Sequence, residues 1–596
     1  MKALKYILSA SISLAFLTAC NDSFLEKYPE TELNEEAFFQ TPEDMAIYLN
    51  NSYKDLSYSS DDLYSDNIGG YTASNEVHSM LHGTINENNV GGWSKSEDKD
   101  WYNLRKANVL LANAHKVKGE QTEIDHYIGV ARFFRANFYF KMLKRYGAAP
   151  WYDRPLSTDD PDLYKGMDSR ELIAEKIMDD LEFAANHIKP IDSRTYINQW
   201  AAYSLLARFA LHEGTFRKYH TEINLANTAS AFLEKAVWAT SEIMKAGFDI
   251  TGEGPEGYRA LFTGDLAGNK EIILYADYDR TLKRGSNTPS VIDWMWHLSR
   301  SLADSYLKTD GTPATSDPAY ATKTYNEMFE SRDPRMAETI MPAGFIKSNE
   351  TLPTVAKLDY GYLPQLKYYP RTPELNSGYD AGYNDIIIFR YAETLLINAE
   401  AKAELGTLKQ EDLNATVNKL RRRVGMPDMK IDVATDPVLA AQYPAVSGNL
   451  ANVILEIRRE RRVELACEGL RYDDLMRWKA GKLLEGPAEG VYIPGFGAYD
   501  VTGDGEYDIA FLESPDKTAG LTEEEITKLQ KVYYLVDKDG REGNIYLSEG
   551  NKGNIRFTTE RSNPAKFEEP KCYYFPIPFS EIQLNPNLEQ PMGWRK

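Results

Sequence analysis

The chain begins with Lys2 and Lys5, an apolar run from Ile7 to Leu17, and the tetrad Leu17-Thr18-Ala19-Cys20. A basic start, a short apolar stretch and small residues before the cut describe a secretory signal. A cysteine directly after the small residues makes it a bacterial lipoprotein signal, with Cys20 the lipidated first residue of the mature chain. No other feature constrains the fold as much. Residues 1–19 are excluded from it, and the rest folds outside the cytoplasm, tied to a membrane by acyl chains whose methylenes contribute about 0.8 kcal/mol each. No later apolar run reaches the roughly 20 residues of a membrane span, so the body is expected to rest on the membrane without crossing it.

Net charge is −21, and loss of Lys2 and Lys5 with the signal makes the body more negative still. Such a surface repels phosphate backbones, which sets nucleic acid aside as a partner. Of 3 cysteines, Cys467 and Cys572 remain after lipidation of Cys20. One pair is no disulfide framework, although an oxidising compartment permits a Cys467–Cys572 bond. Cys467 lies in the helical run VELACEGL and reads as a small core residue.

Helical patterning dominates residues 20–246. Thr41-Pro42-Glu43 supplies a cap, a proline in the first turn and an acid at the positive end. Helical runs follow at Trp101–Lys116, Glu123–Tyr146, Ser169–Asn186, Asn198–Glu213 and Asn227–Ala246. Ala201, Leu205 and Phe209, flanked by Ala202 and Leu206, form a stripe at helical spacing. The run lengths and short links predict tetratricopeptide-like helix pairs. The fold class expected is mainly α, with such a scaffold against a loop-rich lobe holding a few short strands. That lobe occupies the start of a second region, 247–596. EIILYAD (271–277) reads as a strand, and helices return at Ile387–Leu405, Glu411–Val424 and Leu450–Lys482.

Motifs for chemistry are sparse. His78 and His82 are four apart but have no evident third ligand nearby in sequence. His212-Glu213 starts a zinc-protease pattern, yet Phe216 occupies the second histidine position. Asp500, Asp504-Gly505-Glu506 and Asp508 resemble part of a calcium loop, with Phe511 where the bidentate acid belongs. A structural calcium is the one cofactor this fragment suggests; no catalytic residue and no metal ligand is assigned. Glu456, Glu460 and Glu464 form one helical row, where like charges need partners. The nearby Arg459, Arg461, Arg462, Arg471 and Arg477 favour a structural ion-pair network over acid–base chemistry. Arg390 and Glu393, three apart, are expected to pair.

FRYAETLLINAEAKAELG (389–406) resembles the hallmark helix of the SusD/RagB family. IRRERRVELACEGLRYDDLMRWKAGKLL (457–484), YYFPIPFSEIQLNPNLEQ (573–590) and ARFFRANFYFKMLKRYGAAPW (131–151) are similar to its other hallmarks, in family order. The resemblance implies an outer-membrane lipoprotein, usually surface-exposed, that captures oligosaccharides. It also implies a partner, a SusC-like TonB-dependent barrel transporter. Residues 247–596 then hold a ligand-binding lobe and the C-terminal hallmark region.

Sugar rings have apolar faces and polar edges, so flat aromatics stack on them while amides, carboxylates and guanidinium groups address the hydroxyls. Trp93 follows Gly91-Gly92 in a polar stretch where core burial is unexpected. Trp294 and Trp296 would point the same way from an extended segment. Tyr71, Tyr360, Tyr362, Tyr379 and Tyr383 lie in glycine-flanked loops, with Asp66, Asn75 and Arg284 as polar partners. Trp101 and Trp478 lie on hallmark helices and read as core. The alternatives are capture of a non-glycan nutrient such as a peptide, a glycoside hydrolase with its acids in 250–385, or a helical-repeat adaptor without a small ligand.

Overall fold

The computed structural model describes residues 38–56, 58–68, 75–93, 101–292, 296–357, 360–375, 381–536 and 539–595. Cys20 and the signal lie outside the described residues. The first helix, α1 (Pro42–Leu49), starts as the sequence predicts: the Thr41 hydroxyl accepts from the Asp44 N–H, and the Asp44 carboxylate accepts from the Thr41 N–H at 2.7 Å. This reciprocal cap satisfies two otherwise orphaned amides.

After a short strand β1 (Asn67–Ile68) and α2 (Glu76–Leu81), long helices follow in hairpin order: α3 (Trp101–Asn113), α4 (Gln121–Tyr146), α5 (Arg170–His187), α6 (Gln199–Tyr219) and α7 (Ala229–Met244). Each packs on the next. Ser169 and Asn198 cap α5 and α6 through side-chain oxygens. The 26-residue α4 stops at Gly147, whose φ of +76° an L side chain rarely adopts. A Cβ there would also meet the Tyr574 ring at 2.7 Å. The α6 stripe is wholly interior: Ala201, Ala202, Leu205, Leu206 and Phe209 are all buried.

The expected helix from Ile387 begins later. Residues Ile386–Arg390 form a strand, β4, antiparallel to β2 (Ile272–Ala276), and α8 (Tyr391–Glu404) starts only after Arg390. The β-branched run Ile386-Ile387-Ile388 suits a pleated surface better than a helix. The helix expected over Leu450–Lys482 is likewise two: α9 (Ala451–Glu464) and α10 (Arg471–Arg477). The break contains Cys467 and Gly469 at φ +63° and +72°. Asp62 holds it, accepting from the Cys467 N–H at 2.6 Å and the Gly469 N–H at 3.1 Å. Cys467 is therefore a core residue in a turn, and both Cys467 and Cys572 are free and buried.

Besides two small clusters, two large cores result among the described residues. One joins α1–α10 with residues from the chain's C-terminal segment, such as Phe567 and Ile577. The other joins Tyr258, Leu298, Tyr306, Met336 and Leu363 to small sheets from residues 489–557. The sequence division at 247 does not coincide with this partition, because α8–α10 return to the helical body. Among the described residues no helix is long and apolar enough to cross a membrane.

The glutamate row of α9 sits where the cores meet. Its arginines come mostly from elsewhere in the chain, not from the nearby supply. Arg335 contacts Glu460 at 2.7 Å and Glu464 at 2.9 Å; Arg421 contacts Glu460 at 2.7 Å; Arg390 and Arg423 reach Glu464 at 2.8 and 2.5 Å. Arg390 also meets Glu271 and Glu468, while Glu393 pairs with Arg208, so the expected Arg390–Glu393 pair is replaced. Burial alone would raise the Glu464 carboxyl, but Arg423, Arg390 and Arg335 outweigh it and hold it well below the usual range.

Candidate functional site

Gly92 lets the chain turn sharply against the C-terminal end of α4. Gly92 has φ +101°, and a Cβ on it would meet Tyr146 Oη at 2.7 Å. Trp93 follows in the left-handed region at φ +57°. Its N–H donates to Tyr146 Oη at 2.9 Å, and Arg145, held by Glu76, donates to the Gly91 carbonyl. Trp93 is buried, contrary to the expectation from its polar surroundings, because Tyr146 and Trp101 enclose its ring at centroid distances of 5.2 and 5.6 Å.

Beside this pair lies a cavity of about 600 Å³, between the start of α3, the 150–164 loop and α11 (Phe579–Leu584). Trp93, Trp101, Tyr102, Tyr152 and Tyr164 line it; Tyr102 and Tyr164 are exposed at its rim. Trp101 is only half-buried and walls the cavity, which corrects its reading as core. Its indole N–H has no acceptor among the described residues. Polar wall groups are already committed to holding the loop: Arg154 to Asp160 and Asp162 at 3.0 and 2.7 Å, Arg105 to the Leu156 carbonyl, and Asn108 to the Tyr152 carbonyl. Flat apolar rings with hydroxyl-bearing edges are thus fixed in place at little further ordering cost.

A second, polar cleft of about 310 Å³ lies around β1 and its antiparallel partner β3 (His297–Leu298). Asp66 and Asn75 line it, but both are engaged. Asp66 is buried against Arg462 (3.1 Å), and Asn75 caps α2, accepting from the His78 N–H and donating to the Leu63 carbonyl. Trp296 is half-buried against the second core, next to His297, whose ring lies 5.8 Å from Tyr360. Tyr71, Trp294 and Tyr379 lie outside the described residues. Arg284 and Tyr383 belong to a third patch, joined by the Ser286–Gly382 bridge: Arg284 lies over Tyr278, and Arg280 over Tyr383. Tyr362 is buried in the second core, and Trp478 is buried with its N–H on Glu400. The candidates are thus spread over three places. Tyr102, Tyr152 and Tyr164 went unnoticed in sequence; the signal was aromatic density flanking an Asp-rich loop.

The partial calcium loop spends its oxygens on its own backbone: Asp500 accepts from Gly503 and Gly505, and Asp508 from Val501 and Thr502. Glu213 pairs with Arg170 and Arg217, and burial holds the neighbouring His212 well below its ordinary value, so that pair is structural. His78 and His82 do acquire a third group, Glu560, which sequence spacing could not reveal.

A family profile described as "SusD family" matches residues 271–594, and a second, "Starch-binding associating with outer membrane", matches residues 23–211. SusD-like protein P2 of Formosa agariphila is 26% identical over 504 residues, covering 81% of this chain and 92% of that one. A SusD-like protein from Bacteroides fragilis superposes with a TM-score of 0.66 at 20% identity, over 94% of this chain and 98% of its own. A laminarin-binding SusD-like protein superposes with a TM-score of 0.55 at 18% identity, over 93% and 100%. The structural likenesses establish the fold, mainly α with tetratricopeptide-like pairs. Since one profile alone spans more than half of the residues, including α8, α9 and the closing segment, the chain belongs to the SusD family.

Proposed function

We propose that this protein is a non-enzymatic, lipid-anchored outer-membrane protein that captures oligosaccharides at the cell surface and passes them to a TonB-dependent transporter. The observation that carries the reading is the cavity walled by Trp93, Trp101 and Tyr152 and rimmed by Tyr102 and Tyr164. Stacked rings offer modest, non-directional affinity, on the order of micromolar to millimolar, which suits capture followed by release. The lipobox ending at Cys20, the outer-membrane description of the second profile and the laminarin-binding neighbour support the same reading.

The test is affinity electrophoresis and calorimetry of the mature protein with laminarin, starch and other glycans, with reducing ends assayed in parallel. Retardation by at least one glycan with no new reducing ends is the expected result. New reducing ends would establish a hydrolase, and no retardation by any glycan would remove the proposal. Labelled palmitate should enter the wild-type chain and not Cys20→Ser.

A further inference from the structure

One end of the polar cleft gathers three metal-ligating side chains from opposite ends of the chain. His78 lies on α2 and His82 caps the same helix, one turn on, so their rings lie 4.0 Å apart. Glu560 comes from the short helix Thr559–Ser562, which follows the strand Gly553–Phe557. Its Oε1 is 3.1 Å from His82 Nε2 and 3.4 Å from His78 Nε2. One ligand atom from each residue lies within 4.8 Å of the other two, the one such trio among the described residues.

The orientation of His82 is built in. Its Nδ1 lies 2.5 Å from the Asn563 carbonyl, which can only accept, so Nδ1 carries the hydrogen. Asn563 in turn donates from Nδ2 to the His82 carbonyl at 3.0 Å, clamping the residue from both sides. In the neutral ring Nε2 then directs its lone pair toward Glu560. A carbonyl anchor on the distal ring nitrogen is the arrangement that fixes tautomer and aim in metal-binding histidines. Lone pairs from a ring nitrogen and a carboxylate directed at one another repel unless a positive charge lies between them.

We propose that His78, His82 and Glu560 form a binding site for a borderline divalent cation of the Zn²⁺ type, with a fourth position open to the cleft. Two imidazoles and one carboxylate are the donors such an ion takes, whereas calcium requires six or more oxygens. The cleft of about 310 Å³ leaves room for a water or a ligand hydroxyl at the open position. The bound ion would clip α2, which precedes the aromatic cavity, to the segment after the last sheet.

The competing occupant is a proton, which leaves a plain ion pair. The mature protein, with any polyhistidine tag removed, is titrated calorimetrically with Zn²⁺ at a pH above the ordinary histidine value of about 6.5. Co²⁺ absorption reports the geometry. One saturating equivalent is expected, with four-coordinate Co²⁺ bands and a raised Tm. His82→Ala and Glu560→Gln should each weaken binding at least tenfold, while His115→Ala, at an exposed histidine outside the trio, should leave it unchanged. If His82→Ala fails to fold, His78→Gln, at the more exposed edge of the trio, carries the test. Absence of saturable uptake by the wild type, or equal uptake by His78→Gln and Glu560→Gln, would overturn the assignment.

Discussion

The Arg390 guanidinium lies 2.8 Å from the Glu464 carboxylate, joining the end of β4 to the end of α9 across 74 residues of sequence. Both side chains are almost completely enclosed. Removing one partner of such a pair strands the other's charge in a medium that cannot solvate it. Glu464→Gln should therefore cost about 3–5 kcal/mol, because Arg335, Arg390 and Arg423 all lose a counter-charge. Urea unfolding followed by circular dichroism measures this; a loss below about 1 kcal/mol, typical of an exposed pair, would contradict it.

Acid should unfold the protein over a defined window. Glu400 is buried, but Arg477, Arg461 and Arg458 hold it at about 2 against an ordinary 4.5. Glu464 and Glu460 are lowered in the same way. For a depressed carboxyl the stabilisation is present above the unfolded value and is lost as pH falls toward the folded one. His297, pushed by burial to about 3 from 6.5, has the same sign. Asp62, raised to about 7 by burial and Asp66, works in the opposite direction between 7 and 3.8. The steep loss is thus expected between 4.5 and 2, read as the urea midpoint at successive pH values. A midpoint independent of pH across that interval would refute it.

Gly92→Ala should cost on the order of 1–3 kcal/mol, the usual range for backbone strain. A Cβ there collides with Tyr146 Oη and Arg145 Nε, and φ +101° disfavours any side chain. The seat of Trp93 should shift with it, visible as altered tryptophan fluorescence. Unchanged stability and emission would show that the turn can relax.

Trp101→Ala should weaken retention by the preferred glycan about tenfold, or about 1.4 kcal/mol, without unfolding the protein. Trp296→Ala, beside β3 and against the second core, is the contrasting variant. Loss with Trp296→Ala and not with Trp101→Ala would place capture near β3 and leave the aromatic cavity without that role.

Much of the helical body was legible in sequence because its signals are local. Thr41-Pro42, the α6 stripe and the link lengths each act within a few residues. The β4 strand was misread because Ile386–Arg390 pairs with β2, more than a hundred residues earlier, and tertiary pairing overrode the helical pattern beside it. The α9–α10 break was hidden for the same reason: Asp62 closes it from the far end of the chain. Candidate rings were harder. Exposure depends on which surfaces meet, so Trp93 was enclosed by Tyr146 while Trp101, placed on a hallmark helix, became a cavity wall. Glu560 had no sequence cue linking it to His78.

The charged lattice around Glu464 carries a mechanical consequence. It fastens both cores along one seam, so bending there would pull guanidinium groups from carboxylates with no water at hand to replace them. Flexing at that joint is therefore costly, and the two cores should move as one rigid body: single-molecule distances measured across the seam should stay constant in the presence and absence of glycan.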